Sequence, residues 1–362
     1  MRLTHRLSIA FVLSALLACS SGSAHPAPSA SSTEPAASAV GPASAWPTAS
    51  AAASASAKPV LDALSGENLH KDATHLSSAE FRGRGSGSDD EGKAAAWLVA
   101  ALDAAKVDKA FDERLVPFKY RYGSSANVVG MIAPDKSDKP GYVLVGAHYD
   151  HVGVDKQGNV YFGAEDNASG TAMVLGLARM LVARRAELDR PVIVAFFGAE
   201  EQGLHGSRAF AKSWPFKQRP IAMMVNIDMI GRELVDQPLV WLGARSMGIL
   251  DGVDPEKAVG AVLSDKDPDI RRRVNAACEA EGVRAITVDD LPPNLRPRVA
   301  AMARGRSDHY PFELLGIPFA FFSSGESTDY HEPSDTADKL EPAVMERRAR
   351  AILRFILDES RR

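Results

Sequence analysis

The sequence is poor in cysteine and shows no excess of positive charge. Only two of its 362 residues are cysteine, Cys19 and Cys278, so a small fold held together by several disulfides is excluded. Lysine and arginine number 42 against 46 for aspartate and glutamate, which gives a net charge of −4. No dominant basic block is present, and we therefore expect no nucleic-acid partner.

Long apolar runs are also missing. The stretch Leu7–Ala18 follows a basic start, but it is well short of the roughly 20 residues that span a bilayer. This pattern predicts a secretory signal peptide over residues 1–18. The stretch ends in LLAC, Leu16–Cys19, which resembles the lipobox of bacterial lipoproteins and implies cleavage before Cys19 and a lipid on that cysteine. The alternative is an ordinary signal peptide with an incidental cysteine.

The composition of residues 19–59 predicts a disordered tether. Alanine, serine, proline, glycine and threonine dominate it, and it lacks the large apolar side chains that would repay the entropy of ordering. We therefore expect an exported bacterial lipoprotein, anchored through Cys19 in the outer membrane or facing the periplasm. Lipidation would leave Cys278 as the only thiol, which excludes an intramolecular disulfide.

From about residue 60 onward, short apolar runs alternate with helical patterns. Helical periodicity covers residues 90–105 and 168–184, and a last helix is predicted to begin at Pro342. The alternation predicts an α/β fold, with a doubly wound mixed, mostly parallel sheet between helix layers. No break in composition follows, so we expect one catalytic domain over residues 60–362. The apolar runs, continuous as in strands covered on both faces, lie at residues 127–132, 142–147, 192–197, 221–227 and 317–322.

Histidines and carboxylates follow the ends of these runs. In open α/β sheets, ligands bind outside the carboxyl ends of the strands, so side chains distant in sequence are expected to meet there. One further aspartate stands in GAEDNASG, just before a predicted helix. The set expected to converge is His148, Asp150, Asp166, Glu200, Glu201, Asp228 and His331.

Imidazoles together with carboxylates suit a divalent transition metal that takes nitrogen and oxygen ligands. The candidates outnumber the three protein ligands of a tetrahedral catalytic zinc. They suit two ions about 3.5–4 Å apart that share a bridging carboxylate. Each motif alone has an ordinary structural explanation, such as a hydrogen-bonded His–Asp pair or a helix cap. Their joint position at strand ends favours a metal site.

Five motifs in this order resemble those of the co-catalytic zinc aminopeptidases. They are GAHYDHVG, GAEDNASG, FFGAEEQGLHGS, NIDMIGR and YHEPSDT. The family comprises the bacterial leucyl-type aminopeptidases within the glutamate carboxypeptidase superfamily of zinc metallopeptidases. The resemblance covers about residues 66–357 and implies the zinc-exopeptidase fold, which is phosphorylase/hydrolase-like.

The resemblance also implies two Zn²⁺ ions per chain, with Co²⁺ or Mn²⁺ as substitutes. His148 and Asp228 would bind one ion. Glu201 and His331 would bind the other, and Asp166 would bridge the two.

Three further roles follow from the same resemblance. Asp150 would orient His148. Glu200 would be the general base that takes a proton from a water bridging the two metals and passes it to the leaving amine. Tyr330 would polarise the substrate carbonyl. From the residues alone, either Glu200 or the adjacent Glu201 fits the metal.

Other polar stretches are expected to serve the structure. The segment Phe81–Gly92, FRGRGSGSDDEG, lacks the preceding strand and the Gly-Lys-Ser/Thr of a phosphate loop, so we interpret it as a loop entering a helix, without a catalytic role. His151 and His205 are expected to lie outside the ligand set. Asp308 and Asp335 are expected to support the site or to cap helices.

The leading hypothesis is a lipid-anchored zinc aminopeptidase that acts on peptides with a free N-terminus. A carboxypeptidase or dipeptidase of the same superfamily would need a group that binds the substrate carboxylate, and the sequence does not locate one. A glutaminyl cyclase has a similar fold but uses one working zinc and no attacking water. A non-enzymatic binding module is disfavoured because no expected ligand has been lost.

Overall fold

The computed structural model describes residues 63–362, apart from 138, 216–217, 238–243, 246–247 and 249. The predicted signal peptide, Cys19 and the whole tether over residues 19–59 lie outside these residues. Within the described part, no helix combines the length and the apolar character that crossing a membrane requires.

Most strands of the described chain belong to one mixed sheet, and a separate hairpin pairs β5 with β6. In chain order the strands are β1 (Asp108–Lys109), β2 (Leu115–Tyr120), β3 (Gly123–Ile132), β4 (Tyr142–His148), β5 (Gly153–Val154), β6 (Val160–Tyr161), β7 (Val192–Phe197), β8 (Ile221–Ile227), β9 (Ala258–Leu263), β10 (Arg284–Thr287) and β11 (Phe319–Ser323).

The α-helices fall between these strands and at both ends of the described chain. They are α1 (Gly66–Leu76), α2 (Asp89–Ala104), α3 (Gly170–Ala183), α4 (His205–Ser213), α5 (Ile270–Glu279), α6 (Arg296–Ala303), α7 (Tyr310–Leu314) and α8 (Pro342–Arg361). An irregular π-helical turn, Ala164–Ser169, precedes α3.

The strands run in the order β1-β3-β7-β4-β8-β11-β9-β10, with β2 paired to β3. The central strands β7, β4, β8 and β11 are mutually parallel. Antiparallel pairs join β3 to β7 and β9 to β11. The expected mixed sheet with a parallel centre is confirmed.

Helices cover both faces of this sheet, which explains why its central strands are apolar throughout. On one face, Val145 of β4 packs in a cluster with Leu177 of α3 and Ile352 of α8. The adjacent Leu144 points to the opposite face, where it packs in a cluster with Phe210 of α4. Successive strand residues alternate between faces, so a strand with two buried faces needs apolar side chains at every position.

Because β4, β7, β8 and β11 are parallel, their carboxyl ends meet at one edge of the sheet. His148 is the last residue of β4, and Asp228 follows β8 directly. The chain turns sharply after β7 and β8, where Ala199 (φ 51°) and Met229 (φ 54°) adopt left-handed conformations. These turns leave the polar side chains at the sheet edge.

Candidate active site

Two groups of donor atoms meet at this edge and share one aspartate. In the first group, His148 Nε2 lies 3.2 Å from Asp228 Oδ1 and 3.4 Å from Asp166 Oδ1. In the second, His331 Nε2 lies 3.1 Å from both Asp166 Oδ2 and Glu201 Oε2. The two oxygens of Asp166 therefore face different groups, as a bridging carboxylate would.

The spacing within each group fits a bound metal ion. Tetrahedral zinc with bonds of about 2.0–2.2 Å would hold neighbouring ligand atoms about 3.3–3.6 Å apart. His331 Nε2 lies 3.1 Å from two carboxylates, yet it makes an aligned hydrogen bond with no described residue. A nitrogen that points between two carboxylates is suitably placed for a cation between them. Zinc prefers such nitrogen and oxygen donors.

Charge in the metal-free protein leads to the same conclusion. Burial lowers the pKa of His331, but the carboxylates of Asp166 and Glu201 raise it to about 11. Burial raises the pKa of Asp166, but contacts with His148 and His331 hold it well below its ordinary value. Protonated imidazoles thus supply positive charge to this carboxylate cluster when no metal is bound. Such a cluster of carboxylates favours a bound cation.

Asp150 contacts His148 mainly through its main chain. Its carbonyl oxygen lies 3.2 Å from His148 Nδ1, whereas the nearest carboxylate oxygen is 3.8 Å away. The carboxylate instead accepts hydrogen bonds from the main-chain N–H groups of Glu200 (3.0 Å) and Glu201 (3.3 Å) and from Ser86 Oγ (2.6 Å). Asp150 therefore also fixes the turn that carries both glutamates.

Glu200 lies beside the first donor group. One of its carboxylate oxygens lies within 4.8 Å of donor atoms of His148 and Glu201. Burial, and then the carboxylates of Asp308 and Glu201, raise the pKa of Glu200 well above its ordinary value. A raised pKa makes the carboxylate a stronger proton acceptor.

Tyr330 flanks the second donor group. Its ring stacks on that of His331 at a centroid distance of 3.9 Å and an interplanar angle of 18°. Burial and the surrounding carboxylates raise the pKa of Tyr330, so its hydroxyl keeps its proton. The phenol is therefore a hydrogen-bond donor at the edge of the site.

A cavity of about 330 Å³ opens directly beside these groups. Glu200, Asp228 and Tyr330 form part of its wall, and most of the remaining wall is apolar. The apolar residues include Leu234, Leu250, Ile286, Leu291 and Val299. A cavity of this kind suits an uncharged side chain of a substrate.

Several residues assigned supporting roles lie against the ligands. Both carboxylate oxygens of Asp335 accept hydrogen bonds from the main chain at Glu165 and Asp166 (3.0–3.1 Å). Asp308 is fully buried, and burial raises its pKa to about 7. Next to it, Ser307 Oγ donates a 2.6 Å hydrogen bond to Asp228 Oδ2.

No role at the site was predicted from the sequence for Arg84 or Glu91. Arg84 is fully buried and donates to the main-chain carbonyls of Leu76, Tyr149, Phe162 and Gly163. It thereby joins the segments that carry His148 and Asp166. Arg84 lies in the sequence RGRG, between two glycines. This pattern alone does not predict the role of Arg84, which depends on its contacts with distant segments.

Glu91 of α2 supports the turn at residues 199–201 that follows β7, which we call the glutamate turn. It accepts hydrogen bonds from the N–H of Ala199 (3.1 Å) and of Gly87 (2.6 Å) and from Ser125 Oγ (2.7 Å). The segment Phe81–Gly92 does form a loop entering α2, as the sequence predicts. It also buttresses the turn that leads to Glu200.

A family model described as Peptidase family M28 matches residues 127–248 and 260–356, together more than half of the chain. The chain belongs to peptidase family M28. Aminopeptidase YwaD of Bacillus subtilis (strain 168) is 26% identical over 224 residues, which are 60% of the M28 chain and 41% of that relative. Leucine aminopeptidase 1 of Pyrenophora tritici-repentis (strain Pt-1C-BFP) is 29% identical over 176 residues, 45% and 42% of the two chains. The M28 chain thus spans about two-fifths of the length of these relatives.

Solved structures share the fold of this M28 chain. LapA aminopeptidase of Legionella pneumophila superposes with a TM-score of 0.62 at 20% identity, covering 83% of this chain and 73% of LapA. BSAP, a zinc aminopeptidase from Bacillus subtilis, gives 0.60 at 16% identity and 82% and 95% coverage. A Porphyromonas gingivalis glutaminyl cyclase gives 0.57 at 20% identity and 82% and 99% coverage. The expected α/β fold and the expected family of zinc metallopeptidases are confirmed.

Proposed function

We propose that this M28 chain is an aminopeptidase that binds two Zn²⁺ ions and releases apolar N-terminal residues from peptides. The observation that carries the proposal is the division of the Asp166 carboxylate. Its Oδ1 faces His148 and its Oδ2 faces His331, so one residue serves two donor groups. His148 and Asp228 would hold one ion, and Glu201 and His331 would hold the other.

When bound, the zinc ions would supply the positive charge that activates water and polarises the scissile carbonyl. Glu200 would accept the proton released by the attacking water and return it to the leaving amine, in keeping with the raised pKa of its carboxyl group. Tyr330 would donate its phenolic hydrogen to the carbonyl oxygen, where negative charge develops.

The cavity supports a preference for the first residue of the substrate. Its apolar wall would receive the N-terminal side chain, and burial of that side chain would favour leucine-like residues over charged ones. The carboxylates of Glu200 and Asp228 lie at the same cavity, where the free amine of a substrate would find opposite charge. This arrangement favours attack on the first peptide bond.

A substrate panel tests the proposal. Purified protein with added zinc is incubated with a Leu-initiated peptide, its N-acetylated form and a Gln-initiated peptide, and the products are weighed by mass spectrometry. We expect free leucine from the first peptide and no cleavage of the acetylated form. Loss of ammonia from the Gln-initiated peptide, with the Leu-initiated peptide intact, would instead identify a cyclase. Equal cleavage of the acetylated peptide would exclude dependence on a free amine.

We also propose that Cys19 carries the lipid that anchors the protein to a membrane, as LLAC and the tether suggest. The variant Cys19→Ser should move the protein from the membrane fraction to the soluble fraction with unchanged specific activity. Cell fractionation with an antibody to the catalytic domain measures this distribution. A variant that still sediments with membranes would refute anchoring through this cysteine.

A further inference from the structure

His151 stands three residues after His148 and lies deeper in the protein. Its side chain is fully buried, and its main-chain N–H donates to the carbonyl of Arg84. Gly163 lies directly against the ring, because a Cβ added at that glycine would come 2.4 Å from Cδ2 of the imidazole. The orientation of His151 is therefore fixed by close packing on one edge.

The Nδ1 atom of the ring faces Glu201. His151 Nδ1 lies 2.9 Å from Glu201 Oε1 in an aligned hydrogen bond. The second oxygen of the same carboxylate, Oε2, lies 3.1 Å from His331 Nε2. The two oxygens of Glu201 thus face two different imidazoles.

The two imidazoles differ in their distances to the two carboxylates, although the donor atoms of both lie within 4.8 Å of those of Asp166 and Glu201. His331 Nε2 lies 3.1 Å from both Asp166 Oδ2 and Glu201 Oε2, as expected of a nitrogen that shares an ion with them. His151 Nδ1 lies close to one oxygen alone, Glu201 Oε1, and is farther from Asp166 Oδ2, at 3.7 Å. His151 Nε2 is buried and has no partner in the described part of the chain, so Glu201 is the polar contact that the ring makes there.

The first donor group also contains a carboxylate whose two oxygens make different contacts. Asp228 turns Oδ1 toward His148 (3.2 Å), while its Oδ2 accepts a 2.6 Å hydrogen bond from Ser307 Oγ. Glu201 and Asp228 thus share an arrangement: one carboxylate oxygen faces the donor group, and the other accepts a hydrogen bond from a buried side chain. Hydrogen bonds of this kind orient metal ligands and tune their strength.

We propose that His151 is a positioning residue for the second metal, acting through Glu201. Its Nδ1–H holds Oε1 and thereby directs Oε2 to the ion shared with His331. The proposal rests on the two-metal site proposed above. Loss of such outer partners typically costs about 10–100-fold in metal affinity, so removal of the imidazole should weaken one of two binding steps by this factor.

The test compares two variants of the full chain. His151→Leu removes the donor, whereas His151→Asn places an amide nitrogen near the position of Nδ1 and is a poor zinc ligand. Stepwise zinc affinities are measured by competition with a chromophoric chelator, and Co²⁺ absorption reports the coordination of each ion. We expect His151→Leu to weaken one step about 10–100-fold and His151→Asn to stay within a few-fold of the wild type. His205→Leu, outside the donor groups, is the matched control and should change neither step.

Each other outcome has a definite meaning. Unchanged affinities in His151→Leu would overturn the positioning role, with the two-metal site intact. Equal losses in both variants, together with an altered Co²⁺ spectrum, would overturn it in favour of direct ligation. A wild type that binds fewer than two ions would refute the proposed function itself. His151→Gln, which moves the side-chain nitrogen toward the position of Nε2, repeats the test if the leucine variant does not fold.

Discussion

Glu200 and Glu201 are neighbours in sequence, yet their surroundings push their pKa values in opposite directions. Burial raises both, but contacts with His151 and His331 bring the pKa of Glu201 down to about 2. Glu200 faces further carboxylates instead, and its pKa rises well above the ordinary value. Such divergence of paired acids fits the proposed roles, with Glu201 as a permanently charged ligand and Glu200 as a group that exchanges protons. Under the proposed function, the pair GAEE would carry both roles in adjacent residues.

This division predicts different effects of the same substitution at the two positions. Glu200→Gln should retain both zinc ions and lose about 10²–10⁴-fold in kcat, because general acid–base transfer contributes about that much. Glu201→Gln should bind one ion more weakly. Metal content and single-turnover rates measure the two effects separately. Loss of metal in the Glu200 variant alone would mean that the two assignments are reversed.

At the scale of secondary structure, the glutamate turn is held by two segments that precede it in sequence. The N–H of Ala199 donates to Glu91 of α2, while those of Glu200 and Glu201 donate to Asp150, just after β4. Three consecutive N–H groups are thus bound by two buried carboxylates, an arrangement common where backbone turns bind anions. The turn after β7 derives its shape from these partners as well as from its own residues.

Glu91 therefore makes a pH-dependent contribution to stability. Burial raises its pKa from 4.5 to about 7. The folded state then holds a proton that the unfolded chain has released, so the free energy of unfolding falls as pH rises from about 4.5 to about 7. In Glu91→Gln this fall should be smaller. Denaturant titrations at pH 5 and pH 8 measure it, with the exposed Asp89→Asn as control, and an unchanged pH dependence in Glu91→Gln would contradict the assignment.

The central parallel strands and β3 were predicted from sequence, whereas the edge strands and the interior strand β9 were not. Residues 192–197 and 221–227 coincide with β7 and β8, because burial on both faces demands continuous apolar character. Strand β2 alternates between exposed and half-buried positions and contains Pro117, and β10 has four residues. Such strands form because they pair with neighbouring strands, and their own residues show no clear strand pattern.

At the scale of the whole molecule, the sequence predicted that distant motifs would meet at one site. It did not predict the residues that hold those motifs in place. Parallel strands bring their carboxyl ends to one edge, which is why His148 and Asp228 meet as expected. The contacts of Arg84 and His151 depend on which loops pack together, so no spacing in the sequence reveals them. The apolar cavity likewise combines residues from β9, β10, α6 and the segment after β8.

Because the donors come from several strands, metal binding should stabilise the whole domain. An ion that binds only the folded state adds about 2.7 kcal/mol when its free concentration is a hundredfold above Kd. We expect a chelator to lower the Tm and to abolish peptide hydrolysis, and added zinc or cobalt to restore both. Scanning calorimetry of the full chain measures the shift. The variant Asp228→Asn, which impairs one site, should show a smaller shift, and a Tm indifferent to chelation would count against metal binding.

The scattered origin of the donors also determines when metal is acquired. Positions 148 and 331 lie about half of the chain apart, and no short segment contains a complete donor group. A chain still emerging from synthesis would offer zinc only isolated side chains. Under the proposed function, we therefore expect zinc to bind after the sheet has assembled. Cells short of zinc would accumulate folded, inactive molecules, and a later supply of the metal would activate this reserve without new protein synthesis.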